Sequence, residues 1–164
     1  MEKSLEFIGT TFAIGSGATM VLDLWAVFLR KAFGVQGLNY ALLGRWVGHM
    51  AQGKFHHQNI ATARPTYNEA PLGWALHYGI GVLFAAVLLL VFGLEWAARP
   101  ILFPALVVGV GSIVAPFFVM QPAFGMGIAA SKTAAPFTAR LKGLITHTVF
   151  GAGLYVAALV VAAL

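Results

Sequence analysis

Four separate stretches of this chain are each long and apolar enough to cross a lipid bilayer, and that decides its fold class before any motif is read. A hydrocarbon core of roughly 30 Å takes about 20 apolar residues in a helix. The stretches run from about Leu5 to Leu29, Pro71 to Phe92, Pro100 to Pro122 and Lys142 to Leu164. Lipid offers the backbone no hydrogen-bond partner, so each span closes its own bonds as a helix. The chain therefore reads as all-α, a polytopic membrane protein built as a four-transmembrane-helix bundle. Composition agrees, with 60% hydrophobic and 9% charged residues, against about a quarter charged in a soluble domain. At 164 residues it is read as one transmembrane domain, 1–164. The first run is too long for the core of a signal peptide and is taken as a retained helix.

The charges fix an expected orientation. Arg30, Lys31, Arg45, Lys54 and Arg64 fall in the first interspan segment, 30–70, and Lys132 and Arg140 in the second, 123–141, which Lys142 closes. The opposite side holds only Lys3 and Arg99. Eight cations against two place the long segments in the cytoplasm and both termini on the outer side of the membrane. The net charge of +5 is thus a topology signal, and its spread without a basic aromatic stripe argues against a nucleic-acid partner. The absence of cysteine excludes disulfides, thiolate metal sites, iron–sulfur clusters and covalent haem.

Within the first long segment, Asn39 is placed to cap a short helix running to about Met50, with Leu42, Leu43, Trp46, Val47 and Met50 on one side and Arg45 and His49 on the other. Such a helix suits the cytoplasmic membrane interface. The polar stretch 52–68, which contains Pro65, reads as loop. Inside the third span, Pro116 removes a backbone donor and is expected to kink the helix.

An internal repeat stands out. Gly73-x3-His77-x3-Gly81 in the second span matches Gly143-x3-His147-x3-Gly151 in the fourth, and spacings of four share one helix face. Gly15-x-Gly17 and Gly109-x-Gly111, then Ala32-Phe33-Gly34 and Ala123-Phe124-Gly125, support two parallel two-helix units.

Ionisable groups within spans are expensive and point to function. Asp23 lies roughly 10 Å in from the cytoplasmic end, His77 roughly 9 Å and His147 roughly 7–8 Å, at 1.5 Å per residue. Gln121 closes the third helix slightly nearer the surface. All four helices so deliver a polar side chain to one layer, with Asn39 close to it in sequence. His77 and His147 can ligate haem b axially, the flanking glycines leaving room for the macrocycle. With Asp23 they also fit a divalent metal, and an Asp–His pair suits proton relay or a small ligand. Histidines beside glycines can equally hydrogen-bond across a tight helix contact and do nothing more.

Other features are weaker. His56-His57 with His49 resembles a metal pair, but two His in a polar loop are expected to be solvated. Trp25, Trp46, Trp74 and Trp96 fit an interfacial aromatic belt. Thr10 and Thr11 read as packing hydroxyls. No phosphate loop, nucleophile elbow or zinc-protease helix is present.

These residues carry a resemblance. Asp23-Leu24-Trp25, Gly37-Leu38-Asn39-Tyr40-Ala41-Leu42, Gly44-Arg45-Trp46, Gly48-His49 and Gly73-Trp74-x2-His77-Tyr78 are similar to a group of small bacterial membrane proteins catalogued only as a domain of unknown function. Ala115-Pro116-Phe117-Phe118-x2-Gln121-Pro122 and Gly127-Ile128-Ala129-Ala130-Ser131 extend the likeness over nearly the whole chain. The resemblance implies four helices in a bacterial inner membrane, and it brings no activity or cofactor. Its motifs coincide with Asp23, Asn39, His77, Gln121 and His147. The leading expectation is a binding site in the cytoplasmic leaflet for haem, a metal ion or a small lipid-soluble molecule. Asp23, His77, Gln121, His147 and Asn39 line it, with His77 and His147 as the metal ligands. The alternatives are an accessory or assembly subunit of a larger membrane complex, and a small transporter that works as a homo-oligomer.

Overall fold

The protein is described here by a computed structural model covering residues 2–164. It is 77% helical, with no strand among the described residues. Helix α1 covers Glu2–Phe33, α2 Tyr40–Met50, α3 Glu69–Phe92, α4 Leu94–Ala98, α5 Leu102–Gly111, α6 Gln121–Ala123 and α7 Pro136–Ala162. Four helical stretches are long and apolar enough to span a membrane: Glu2–Phe33, Glu69–Phe92, Leu102–Ala123 and Pro136–Ala162. They match the four expected runs, each beginning or ending a few residues away from the sequence estimate. In none of them is more than 33% of the most apolar window buried within the protein. Leu24, Leu90 and Phe103 are 64%, 73% and 73% exposed, and lipid is the solvent that makes such exposure favourable.

The third span is irregular around its proline. Its regular part ends at Gly111, and Pro116–Met120 is wound as a π-helical turn that leads into α6. Proline lacks the donor that would continue the ladder, and the wider turn is the local adjustment.

The chain divides into two compact units. The first comprises residues 2–37, 78–112 and 145–164 and packs around Ile14, Ala18, Leu88, Leu89, Phe150, Leu154 and Ala158. Small residues permit its closest approaches. A side chain on Gly15 would strike the backbone of Gly81 and Val82, and one on Gly109 the backbone of Gly151. In each pair a hydroxyl one turn along returns to its own helix. Thr19 Oγ1 donates to Gly15 O at 2.8 Å, and Ser112 Oγ to Gly109 O at 2.6 Å.

The second unit comprises residues 38–77 and 113–144, with Ile60, Ala123 and Phe124 as its buried apolar centre. Asn39 caps α2 as its sequence position suggests, its side chain accepting from Ala41 N at 3.1 Å. Helices α2 and α3 then meet through reciprocal glycines. A Cβ on Gly44 would collide with the Glu69 carbonyl, and one on Gly73 with the Tyr40 carbonyl. The stretch read from sequence as loop is tied down by its backbone. His57 N donates to Ala123 O at 2.8 Å, and Ile60 N to Phe124 O at 3.2 Å.

Candidate functional site

The five residues singled out from the sequence are divided between the two units. Asp23 and His147 belong to the first, and Asn39, His77 and Gln121 to the second. In the first unit, Tyr78 OH donates to Asp23 Oδ2 at 3.0 Å. His147 Nδ1 lies 2.6 Å from Ser112 Oγ. A hydroxyl has one hydrogen, and that of Ser112 is directed at Gly109 O. His147 therefore donates from Nδ1 and keeps Nε2 as its lone-pair nitrogen. Asp23 and His147 thus hold different partners.

In the second unit the Asn39 cap begins α2 at Tyr40, whose ring stacks on His77 with centroids 3.9 Å apart. Trp74 meets both rings edge-on, at 4.8 Å from Tyr40 and 5.8 Å from His77. Asn39 and His77 are so linked through one aromatic cluster. Gln121 is buried at the start of α6, and its Oε1 has no hydrogen-bond partner.

The glycines flanking the two span histidines are filled by the protein itself. Gly73 faces the Tyr40 backbone, Gly81 the Thr19 side chain, Gly143 the Phe117 ring and Gly151 the backbone of Ala105 and Leu106. This is the geometry of small-residue helix contacts, and it takes up the space the sequence reading assigned to a macrocycle. Among the described residues no three His, Cys, Asp or Glu side chains gather into a metal-binding group.

The polar core that sequence reasoning missed is in the second unit. Arg45 forms a two-pronged ion pair with Glu69, Nη2 to Oε1 at 2.7 Å and Nε to Oε2 at 2.9 Å. Its Nη1 also donates to the carbonyls of Ile60, Ala61 and Ala63 at 3.1–3.2 Å. Thr66 N donates to Glu69 Oε2 at 2.9 Å. The hydrogen bond to Glu69 holds the Arg45 guanidinium above its usual pKa against the effect of burial. One guanidinium thus gathers the turn 60–63 and the start of α3 onto α2.

Beneath this clamp His49 and His57 stack, ring centroids 4.8 Å apart, with Nδ1 of His49 2.6 Å from Nε2 of His57. They are 7% and 3% exposed; of the His56–His57 pair expected to be solvated, His56 is exposed and His57 is not. His57 Nδ1 and Thr66 Oγ1 are buried without a partner, as is Gln121 Oε1. A neutral His57 that donates from Nε2 to His49 presents its Nδ1 as a lone pair. A ring nitrogen, a hydroxyl and an amide oxygen are thus buried without partners in one unit. The signal available in the sequence was the density of polar residues between Gln52 and Asn68 next to Arg45. Burial of His57 and Ile60 within that stretch depends on partners distant in the chain.

Four helices long and apolar enough to cross a bilayer define an all-helical membrane protein. The chain belongs to the family described as Protein of unknown function (DUF2938), whose model matches residues 12–161. No curated protein and no solved structure matches it.

Proposed function

We propose that this is a bacterial inner-membrane protein that binds a small, uncharged, hydrogen-bonding molecule in the unit formed by its two long interspan segments. The observation that carries the reading is the set of buried polar atoms without partners there: His57 Nδ1, Gln121 Oε1 and Thr66 Oγ1. A buried polar atom without a partner costs about 1–3 kcal/mol, and a ligand that supplies hydrogen-bond partners recovers it. Six Lys and Arg residues share the unit with the single carboxylate of Glu69, which disfavours a cationic ligand. Gln121 remains a site residue from the sequence set, and Asn39 and His77 share its unit. Asp23 and His147 act as polar clamps between spans, and the unit lies on the cytoplasmic side, as the count of basic residues supports.

A second observation favours descent from a duplicated two-helix unit. The Gly15–Gly81 contact is matched by Gly109–Gly151, each with its neighbouring hydroxyl. Gly34 and Gly125, the glycines of the two Ala-Phe-Gly triplets, both adopt positive φ, +66° and +87°, where a side chain is strained.

The test is purification of the full chain in mild detergent, with mass spectrometry of co-purifying small molecules, metal content and a visible spectrum. Thermal shifts against small polyols and amides complete it. A compound bound or stabilising in the wild type and lost in both His57→Phe and Gln121→Leu supports the site. Wild-type protein that carries none and responds to none overturns it. A stoichiometric metal or a Soret band lost in His77→Ala/His147→Ala would return the function to the span histidines.

A further inference from the structure

We infer that a second, separate site in the same unit, a groove beside His56, holds a phosphate group, supplied by the headgroup of an anionic phospholipid. The groove has a volume of about 340 Å³ and is lined by His56, Gly125, Gly127, Ile128, Ser131 and Lys132, with Pro122 at its edge. Every polar side chain on it, the Lys132 ammonium, the Ser131 hydroxyl and the His56 imidazole, can donate a hydrogen bond. Backbone forms much of its wall. A Cβ on Gly127 would run into Ser131 Oγ and the Lys132 stem, and one on Gly125 into the carbonyl of Gln58. Both glycines have positive φ, +75° and +87°. Serine and lysine so stand directly against the Gly127 main chain, which gathers two donors at one turn of the groove wall.

The charge of the unit points the same way. Its only carboxylate is Glu69, which is engaged by Arg45. Lys54, Arg64, Lys132, Arg140 and Lys142 therefore have no acidic partner within their own unit. A shared positive field of this kind attracts phosphate and repels cations.

Depth and polarity select a lipid as the source. The third span ends at Ala123 and the fourth begins at Pro136, so residues 125–132 lie in the short segment that joins the two spans. Ile128 lines the groove and is 57% exposed, an apolar border suited to the glycerol and acyl part of a lipid. Two consecutive left-handed alanines, Ala129 and Ala130 with φ of 47° and 59°, turn the chain there, and Arg140 Nε secures the first by donating to Ala129 O at 2.8 Å. The inference does not depend on what His57 and Gln121 bind, since neither lines this groove.

Native mass spectrometry of the full chain, taken from micelles containing equal phosphatidylglycerol and phosphatidylcholine, tests it. The wild type is expected to retain phosphatidylglycerol preferentially. In His56→Gln/Lys132→Gln that preference falls about fivefold or more, the value of roughly one basic contact to an anionic headgroup. Lys54→Gln, which removes a cation of the same unit outside the groove, leaves it in place. Millimolar inorganic phosphate separates the sources. Phosphatidylglycerol that resists displacement assigns the headgroup, while phosphate that displaces it, and binds by itself in a way the double variant abolishes, assigns the free ion. Equal retention of the two lipids with no phosphate binding, or an equal loss in Lys54→Gln, overturns the proposal.

Discussion

His49 Nδ1 and His57 Nε2 stand 2.6 Å apart inside a shell that leaves neither ring more than 7% exposed. One nitrogen must accept from the other, so the two rings cannot both carry protons at the contact. Burial lowers the pKa of His57 below its usual 6.5, and the positive charge of His49, Lys54 and His56 lowers it further. The unfolded chain therefore takes up the proton more readily than the native one. The stability this histidine contributes is complete above pH 6.5 and is lost as the pH falls from there toward the native pKa. The apparent melting temperature in detergent should accordingly drop between pH 7.5 and 5. His57→Phe should flatten the profile over that window, and Lys54→Met should shift the decline to lower stability loss. A His57→Phe profile as steep as the wild type would show that other groups carry the acid sensitivity.

Arg45 holds the second unit together through five hydrogen bonds to four residues. Its side chain is 11% exposed and that of Glu69 18%, so removal of one partner leaves a largely buried charge. Arg45→Ala should cost about 3 kcal/mol, the lower end for breaking a buried pair. Arg45→Lys should recover less than half, since an ammonium cannot copy the planar fork that meets both carboxylate oxygens and three carbonyls. Limited trypsin digestion at Lys54, followed by mass spectrometry, reads this locally. Faster cleavage there than at Arg30 or Lys31 is the expected signature.

Glycines of one helix separate by what their missing side chain would meet. A Cβ at Gly73 collides with the Tyr40 carbonyl, while one at Gly79 meets nothing within 4 Å. Gly73→Ala should therefore push α2 from α3 and lower stability by roughly 2–3 kcal/mol, the overpacking range. Gly79→Ala should be neutral or stabilise by up to about 1 kcal/mol through helix propensity. Apparent melting temperatures of the two variants in the same detergent compare them directly, and equal effects would contradict the packing described for α2 and α3.

The spans were legible because a bilayer imposes a length and an apolarity that local sequence either has or lacks. The cap at Asn39 was legible for a similar reason, since an amide beside the first turn satisfies a local donor. The glycine–histidine faces were visible as spacings, but spacing does not say what fills the glycine. At Gly73 it is a carbonyl and at Gly143 an aromatic ring. Asp23 was readable as an in-span charge, whereas its partner Tyr78 is 55 residues away and depends on helix rotation. The stretch 52–68 is loop as read, apart from the turn Ile60–Thr62, but the burial of His57 and Ile60 within it was not legible, because it comes with Arg45 and the carbonyls of Ala123 and Phe124. Such long-range partners leave no local periodicity.

Ser112 and His147 provide the sharpest test of whether a span histidine is structural. The Ser112 hydroxyl joins His147 Nδ1 to the Gly109 carbonyl, at 2.6 Å on each side, and the neighbouring contact of Gly109 with Gly151 leaves no slack between the helices. If the pair serves only to lock them, Ser112→Ala and His147→Ala should each destabilise, and the double variant should lose less than their sum. Interhelical hydrogen bonds in membranes couple by about 0.6 kcal/mol and at most about 1.7. A coupling within that range, with unchanged ligand and metal content, assigns His147 to the clamp. A single His147→Ala variant that is as stable as wild type but loses a bound molecule would instead assign its free Nε2 to binding.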